Sequence, residues 1–209
     1  MTRKLSPEHS LSSDGFRELF DAQPEEHAKV MMRGSLVAVP RKQQAYGRAY
    51  AFSGVDHAAA TQVPRYVEQL QQHINELLSA ENCPRELSEY RFQPNGVLVN
   101  WYRNGHDYIG PHRDETRELQ KLGDSERCLV VASSHGTERV FRVRDASSNK
   151  AVLNLPLANN TLCVMGGEMQ QRFKHEIVRV NGVKGEALGP RISITFRQFV
   201  NRKKRPLEQ

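Results

Sequence analysis

The sequence predicts an α+β fold in which a helical scaffold precedes an antiparallel β-core of sandwich or barrel type. Two observations carry this. Tyr66, Val67, Leu70, Ile74, Leu77 and Leu78 recur at three-to-four spacing, the mark of a helix that buries one face. After Gly96 the period changes to short β-branched and aromatic runs, separated by Gly, Asn, Asp and Ser clusters.

Residues 1–13 are rich in Ser, Thr and charge, so they are expected to be solvated and disordered. Phe16, Leu19 and Phe20 mark a short helix, and Pro64, suited to a first helical turn, opens the long one. His73 lies close to the apolar stripe of that helix and is read as structural. Strands are expected over 97–102, 128–134, 139–144, 151–157, 161–165, 172–180 and 191–199. The segment 201–209, NRKKRPLEQ, reads as a basic tail: a nuclear address, a phosphate contact or a plain solvated terminus. The expected organisation is one domain over 14–200, with scaffold to residue 95 and β-core from 96.

With 209 residues and 38% hydrophobic composition, the chain is long enough to bury a core without disulfides or structural metals. Collagen, coiled-coil and wholly disordered classes are excluded. No apolar run approaches the roughly 18 residues of a membrane span, and no leader is visible, so an intracellular protein without a membrane partner is expected. Cys83, Cys128 and Cys163 are odd in number and lack a CxxC pair, which indicates neither a disulfide framework nor a thiolate zinc site. Thirty Lys+Arg against 24 Asp+Glu give +6, a balance that suits a polyanionic partner or simply solubility.

In Gly110-Pro111-His112-Arg113-Asp114-Glu115, His112 and Asp114 share one face of an extended segment. With His175 they make two imidazoles and one carboxylate, the facial triad that leaves positions on Fe(II) open for a co-substrate and dioxygen. The HxD pair alone is a weak signal. The last strand adds weight, because Arg191, Ser193, Thr195 and Arg197 alternate with Ile192, Ile194 and Phe196. As a surface strand this would be polar outward; as a barrel wall it would present two guanidiniums and two hydroxyls to an acidic ligand. An arginine fork holds a carboxylate through two charge-assisted hydrogen bonds, which suits a dicarboxylate such as 2-oxoglutarate. Asn100 and Tyr102 form a further same-face pair.

These runs, with Val39-Pro40-Arg41-Lys42-Gln43, Tyr46-Gly47, Tyr50-Ala51-Phe52-Ser53-Gly54 and Asn100-Trp101-Tyr102, resemble the AlkB-type Fe(II)/2-oxoglutarate dioxygenases, in particular the animal-type nucleic-acid repair branch. The resemblance extends from about Val39 to Phe199. It implies a double-stranded β-helix, or jelly roll, under an N-terminal lid that recognises nucleotides. It implies Fe(II) on His112, Asp114 and His175, and 2-oxoglutarate held by Asn100, Tyr102, Arg191 and Arg197, with Ser193 and Thr195 nearby. The implied reaction is oxidative removal of N-alkyl groups, such as those of 1-methyladenine and 3-methylcytosine, from DNA and from RNA, releasing formaldehyde and succinate. Tyr50, Phe52, Ser53 and Glu115 would form the base pocket and Arg41 a backbone or base contact, in a monomer that takes single strands or flips the base out of a duplex.

Three positions depart from the family pattern: Glu115 stands for Asp, Ser193 for Asn, and no aromatic residue lies at Met32-Arg33-Gly34, where duplex-repairing relatives carry an aromatic finger. The last departure favours single strands. The competing readings are a 2-oxoglutarate hydroxylase of protein or small molecules, and a non-catalytic nucleic-acid binding module on the same fold. The base-pocket run argues against the first and the intact triad against the second.

Overall fold

A computed structural model describes residues 1–52, 55–81 and 83–200, with 50–52 and 55–57 described by backbone alone. The first half contains strands β1 (Thr2–Lys4), β2 (Lys29–Met32), β3 (Ser35–Ala38), β4 (Lys42–Tyr46), β5 (Tyr50–Phe52), β6 (Val55–His57) and β7 (Ala59–Ala60). Among them lie the helices α1 (Ser13–Asp21), α2 (Arg65–Ser79) and α3 (Arg85–Ser88). The second half contains β8 (Gly96–Tyr102), β9 (Ile109–His112), β10 (Val130–Gly136), β11 (Arg139–Asp145), β12 (Ala151–Leu157), β13 (Thr161–Met165), α4 (Met169–Arg172), β14 (Phe173–Ile177), α5 (Gly182–Glu186) and β15 (Arg191–Arg197).

Two sheets face each other. The major sheet has seven strands in the order β1-β13-β10-β15-β8-β4-β7, and the minor sheet four in the order β12-β11-β14-β9. Apart from the parallel pair β4–β7, the pairings are antiparallel, as a jelly roll requires. β2–β3 and β5–β6 form separate two-stranded ribbons.

The alternation in β15 explains why both faces of the major sheet are buried. Ile192, Ile194 and Phe196 join Val97, Val99 and Trp101 in a cluster with Val67, Leu70, Ile74 and Leu78 of α2. Each such side chain stabilises the fold by roughly 1.5–3 kcal/mol through burial. α1 packs there too: Leu19 is buried, and its carbonyl accepts a 2.8 Å hydrogen bond from Trp101 Nε1. The opposite face, with Leu98, Tyr102, Val130 and Met165, meets Phe141, Val143 and Ile177 of the minor sheet.

The expected disorder of residues 1–13 is corrected. β1 pairs with β13 in the register Thr2↔Cys163 and Lys4↔Thr161, and Leu5 and Leu11 are buried in the helix-side core. Asn160, at φ 56°, accepts from Leu11 N–H at 3.1 Å through Oδ1 and donates back to its carbonyl at 3.3 Å. A distant strand and two leucines thus order a segment that its polar composition describes as mobile. The boundary at residue 96 also shifts, because β1, β4 and β7 extend the major sheet from the first half of the chain. The tail 201–209 lies outside the described residues.

Candidate active site

His112 on β9 and His175 on β14 are direct partners across the minor sheet, with ring centroids 4.3 Å apart. Asp114 follows two residues beyond His112, and one ligand atom from each of the three lies within 4.8 Å of the others. His175 Nε2 stands 3.6 Å from Asp114 Oδ2. His112 Nδ1 is 2.9 Å from the carbonyl of Gly110; donating there fixes the tautomer in which Nε2 carries the lone pair that a metal takes.

The charge state suits a dication. Burial, reinforced by His175, pushes the His112 imidazole down to about 3, and burial lowers His175 as well, so both rings are neutral at neutral pH. Burial alone would raise the Asp114 carboxyl, but Arg197, then His175 and His112, hold it well below the usual range. Two neutral imidazoles and one carboxylate are the donor set that a facial-triad iron takes. Asp114 Oδ1 accepts from Arg197 Nη2, and Oδ2 accepts from Gln170 Nε2 at 2.8 Å.

The polar face of β15 is the inner one. Arg191, Ser193, Thr195 and Arg197 line the same cavity as Asn100, Tyr102 and the triad, between the two sheets. Arg191 is only 1% exposed. Its Nε donates to Ser134 Oγ at 3.0 Å, its guanidinium lies 4.9 Å from the Tyr102 ring centroid, and Nη1 has no hydrogen-bond partner among the described residues. Burial pushes this guanidinium below its ordinary range. A buried cation with an unmet donor calls for an anion, and a carboxylate supplies both the charge and the acceptor. The residues therefore fit both Fe(II) and an acidic co-substrate.

Arg41 is placed differently from a surface phosphate contact. It is 3% exposed, turned into the cavity wall, and donates from Nε to Asn100 Oδ1 at 2.8 Å and from Nη2 to Gln43 Oε1 at 3.0 Å. Glu115 is not part of the cavity wall. Both its oxygens are engaged by Arg117, from Nε at 3.0 Å and Nη2 at 2.8 Å. Tyr50 and Phe52 belong to β5, paired with His57 and Val55, but their side chains, like Ser53, lie outside the described residues.

Two buried residues carry no signal in the sequence. Gln170 grips Asp114 from 56 positions away. Arg139 donates to the carbonyls of Asn104, Gly105, Asp107 and Val178 at 2.8–3.1 Å, tying the β8–β9 loop to the end of β14. Only the fold brings either residue to its partners.

A facial triad and buried arginines sharing one cavity between two antiparallel sheets define a mononuclear iron oxygenase with an acidic co-substrate. The comparisons with known proteins make the assignment particular. Residues 3–197 match the 2OG-Fe(II) oxygenase superfamily, and the chain belongs to it, a class of dioxygenase that uses Fe(II), 2-oxoglutarate and dioxygen. It is 32% identical over 187 residues to the DNA oxidative demethylase ALKBH2 of Homo sapiens, covering 85% of this chain and 63% of that protein. The Mus musculus protein of the same name is also 32% identical, with 85% of this chain and 69% of the relative covered. The Bos taurus protein is 31% identical over 188 residues, covering 85% and 60%. The chain thus spans 60% to 69% of the length of these relatives. The solved structure of OsALKBH1 aligns over 94% of this chain and 97% of its own with a TM-score of 0.56 at 18% identity, a likeness of fold. Among the described residues, no helix is long and apolar enough to cross a membrane.

Proposed function

We propose that the chain is an oxidative demethylase of nucleic acid that removes N-alkyl groups such as those of 1-methyladenine and 3-methylcytosine. The observation that carries this reading is the sharing of one cavity by the His112–Asp114–His175 cluster and the Arg191–Arg197 face; the names of the curated relatives supply the substrate class. In this reading His112, Asp114 and His175 hold Fe(II). Arg191 takes the far carboxylate of 2-oxoglutarate, and Asn100, Tyr102, Ser193, Thr195 and Arg197 hold the rest. When bound, iron, 2-oxoglutarate and dioxygen supply the oxidation: one oxygen atom ends in succinate as carbon dioxide leaves, the other on the N-methyl carbon, which departs as formaldehyde.

Tyr50, Phe52, Ser53 and Glu115 receive the extruded base in this reading. Methylation at N1 of adenine or N3 of cytosine leaves the base cationic, which a carboxylate attracts. Arg117 lies against Glu115 and its hydrogen bonds keep that carboxyl below its ordinary range, so Glu115 meets the base as an anion. Arg41, which donates to Asn100, is a further contact to the nucleotide in this reading.

Single-stranded DNA, and RNA of the same kind, is the favoured substrate of a monomeric enzyme, and the basic tail fits a nuclear protein. The β2–β3 ribbon turns at Arg33 and Gly34, at φ 48° and 81°, the two-residue turn with both central residues left-handed. Exposed Met31, Met32 and Leu36 lie beside that turn without an aromatic ring to insert between base pairs.

The test is mass spectrometry of a single-stranded DNA oligonucleotide carrying one 1-methyladenine, incubated with the protein, Fe(II), 2-oxoglutarate and air. Loss of one methyl mass only when 2-oxoglutarate is present is the expected result. No loss, with succinate still formed, overturns the DNA substrate and points to RNA, protein or a small molecule.

A further inference from the structure

We infer that Gln170 is a positioning residue for the metal: its side chain fixes the Asp114 carboxylate in the orientation a bound ion needs. The inference rests on the metal-centre reading above and concerns a residue outside the triad. Gln170 is buried at the start of α4 and meets Asp114 at two points. Its Nε2 donates to Oδ2 at 2.8 Å, and its Oε1 accepts from the Asp114 backbone N–H at 2.9 Å. Arg113 adds a link between the same segments, donating from Nη1 to the Gln171 carbonyl at 3.1 Å.

Asp114 lies beyond the end of β9, where no strand pairing among the described residues holds its backbone. The amide of Gln170 supplies that restraint, one end on the backbone and the other on the carboxylate. With Arg197 on Oδ1, the carboxylate is held at both oxygens. An oxygen so held retains a lone pair for the ion while losing its rotational freedom, so less ordering is left for the binding step.

The experiment titrates metal-free protein with Mn(II), and separately with Co(II), by calorimetry, comparing the unsubstituted chain with Gln170→Met and Gln170→Asn. Methionine keeps the volume and removes both hydrogen bonds; asparagine keeps the groups at shorter reach and answers the question if the methionine variant fails to fold. The expected result is Mn(II) affinity weakened roughly 10–100-fold. The thermal midpoint of the metal-free variants is read alongside, because a residue that only packs would lower that midpoint and leave Kd unchanged. Wild-type Kd in either folded variant overturns the inference alone. Absence of Mn(II) binding in the unsubstituted chain overturns the metal-centre reading, and the inference falls with it.

Discussion

Arg197 donates a hydrogen bond to Oδ1 of Asp114 across 83 residues of sequence, so the guanidinium that closes β15 grips a proposed metal ligand from inside the cavity. The pair is almost wholly buried, with 6% and 1% of the two side chains exposed. Removing one partner strands the other charge, which costs about 3–5 kcal/mol. Arg197→Met is therefore expected to lower the urea midpoint of metal-free protein as well as its activity. An unchanged midpoint with lost activity would assign Arg197 to the co-substrate alone.

Arg191 is expected to behave differently, because its free donor faces the cavity and not a protein carboxylate. A charge-assisted contact contributes about 1.5–3 kcal/mol. Arg191→Met should weaken 2-oxoglutarate binding roughly 10–100-fold, the fold-change of those energies, while the KM for the oligonucleotide stays near its original value. Equal changes in both constants would show that Arg191 is not the carboxylate clamp.

His112→Ala should abolish both succinate and formaldehyde release with an unchanged far-UV circular dichroism spectrum. The reason is architectural: the cavity is walled by two sheets whose apolar clusters do not depend on the metal ligands. Formaldehyde release at the original rate would sink the triad assignment.

The metal-free fold should weaken as the solution is acidified. His135 is fully buried, held by Asn160 Oδ1 at 2.7 Å and Ser133 Oγ at 3.0 Å, and burial pushes it down to about 4. Below pH ~6.5 the unfolded chain protonates this histidine first. Its contribution is thus complete above pH ~6.5 and lost as pH falls toward 4, at about 1.4 kcal/mol per pH unit. Urea midpoints at pH 7.5, 6.5 and 5.5 measure the slope, and His135→Gln should make it shallower by that amount. Identical slopes would mean that His135 takes no part.

Much of this architecture was legible because it was written in local periods. The stripe of α2 gave its buried face, and the alternation of β15 gave two chemically distinct faces, though not which was inward. The answer came from α2 covering Ile192, Ile194 and Phe196, which turned Arg191 and Arg197 toward the cavity. The triad was readable because the HxD pair, weak alone, stands in one chain with His175 and with the arginine-bearing alternation of β15. Gln170, Arg139 and β1 were not readable, since each acquires its role from a partner far away in sequence. Arg41, read as a backbone or base contact, carries no sign in its polar run of the burial that sets it, just before β4, against Asn100.

The separation of the small ribbons from the two large sheets divides the molecule into parts that differ in how far a local change spreads. The residues that would hold 2-oxoglutarate sit on β8 and β15, and His175 on β14, strands hydrogen-bonded on both sides where a shift in one disturbs its neighbours. His112 is on the edge strand β9 and Asp114 just beyond its end. The β5–β6 ribbon, with the Tyr50–Phe52 run, pairs only within itself among the described residues. On the proposed function, exchanging this ribbon for that of a relative is expected to change which base is taken while 2-oxoglutarate turnover stays as it is.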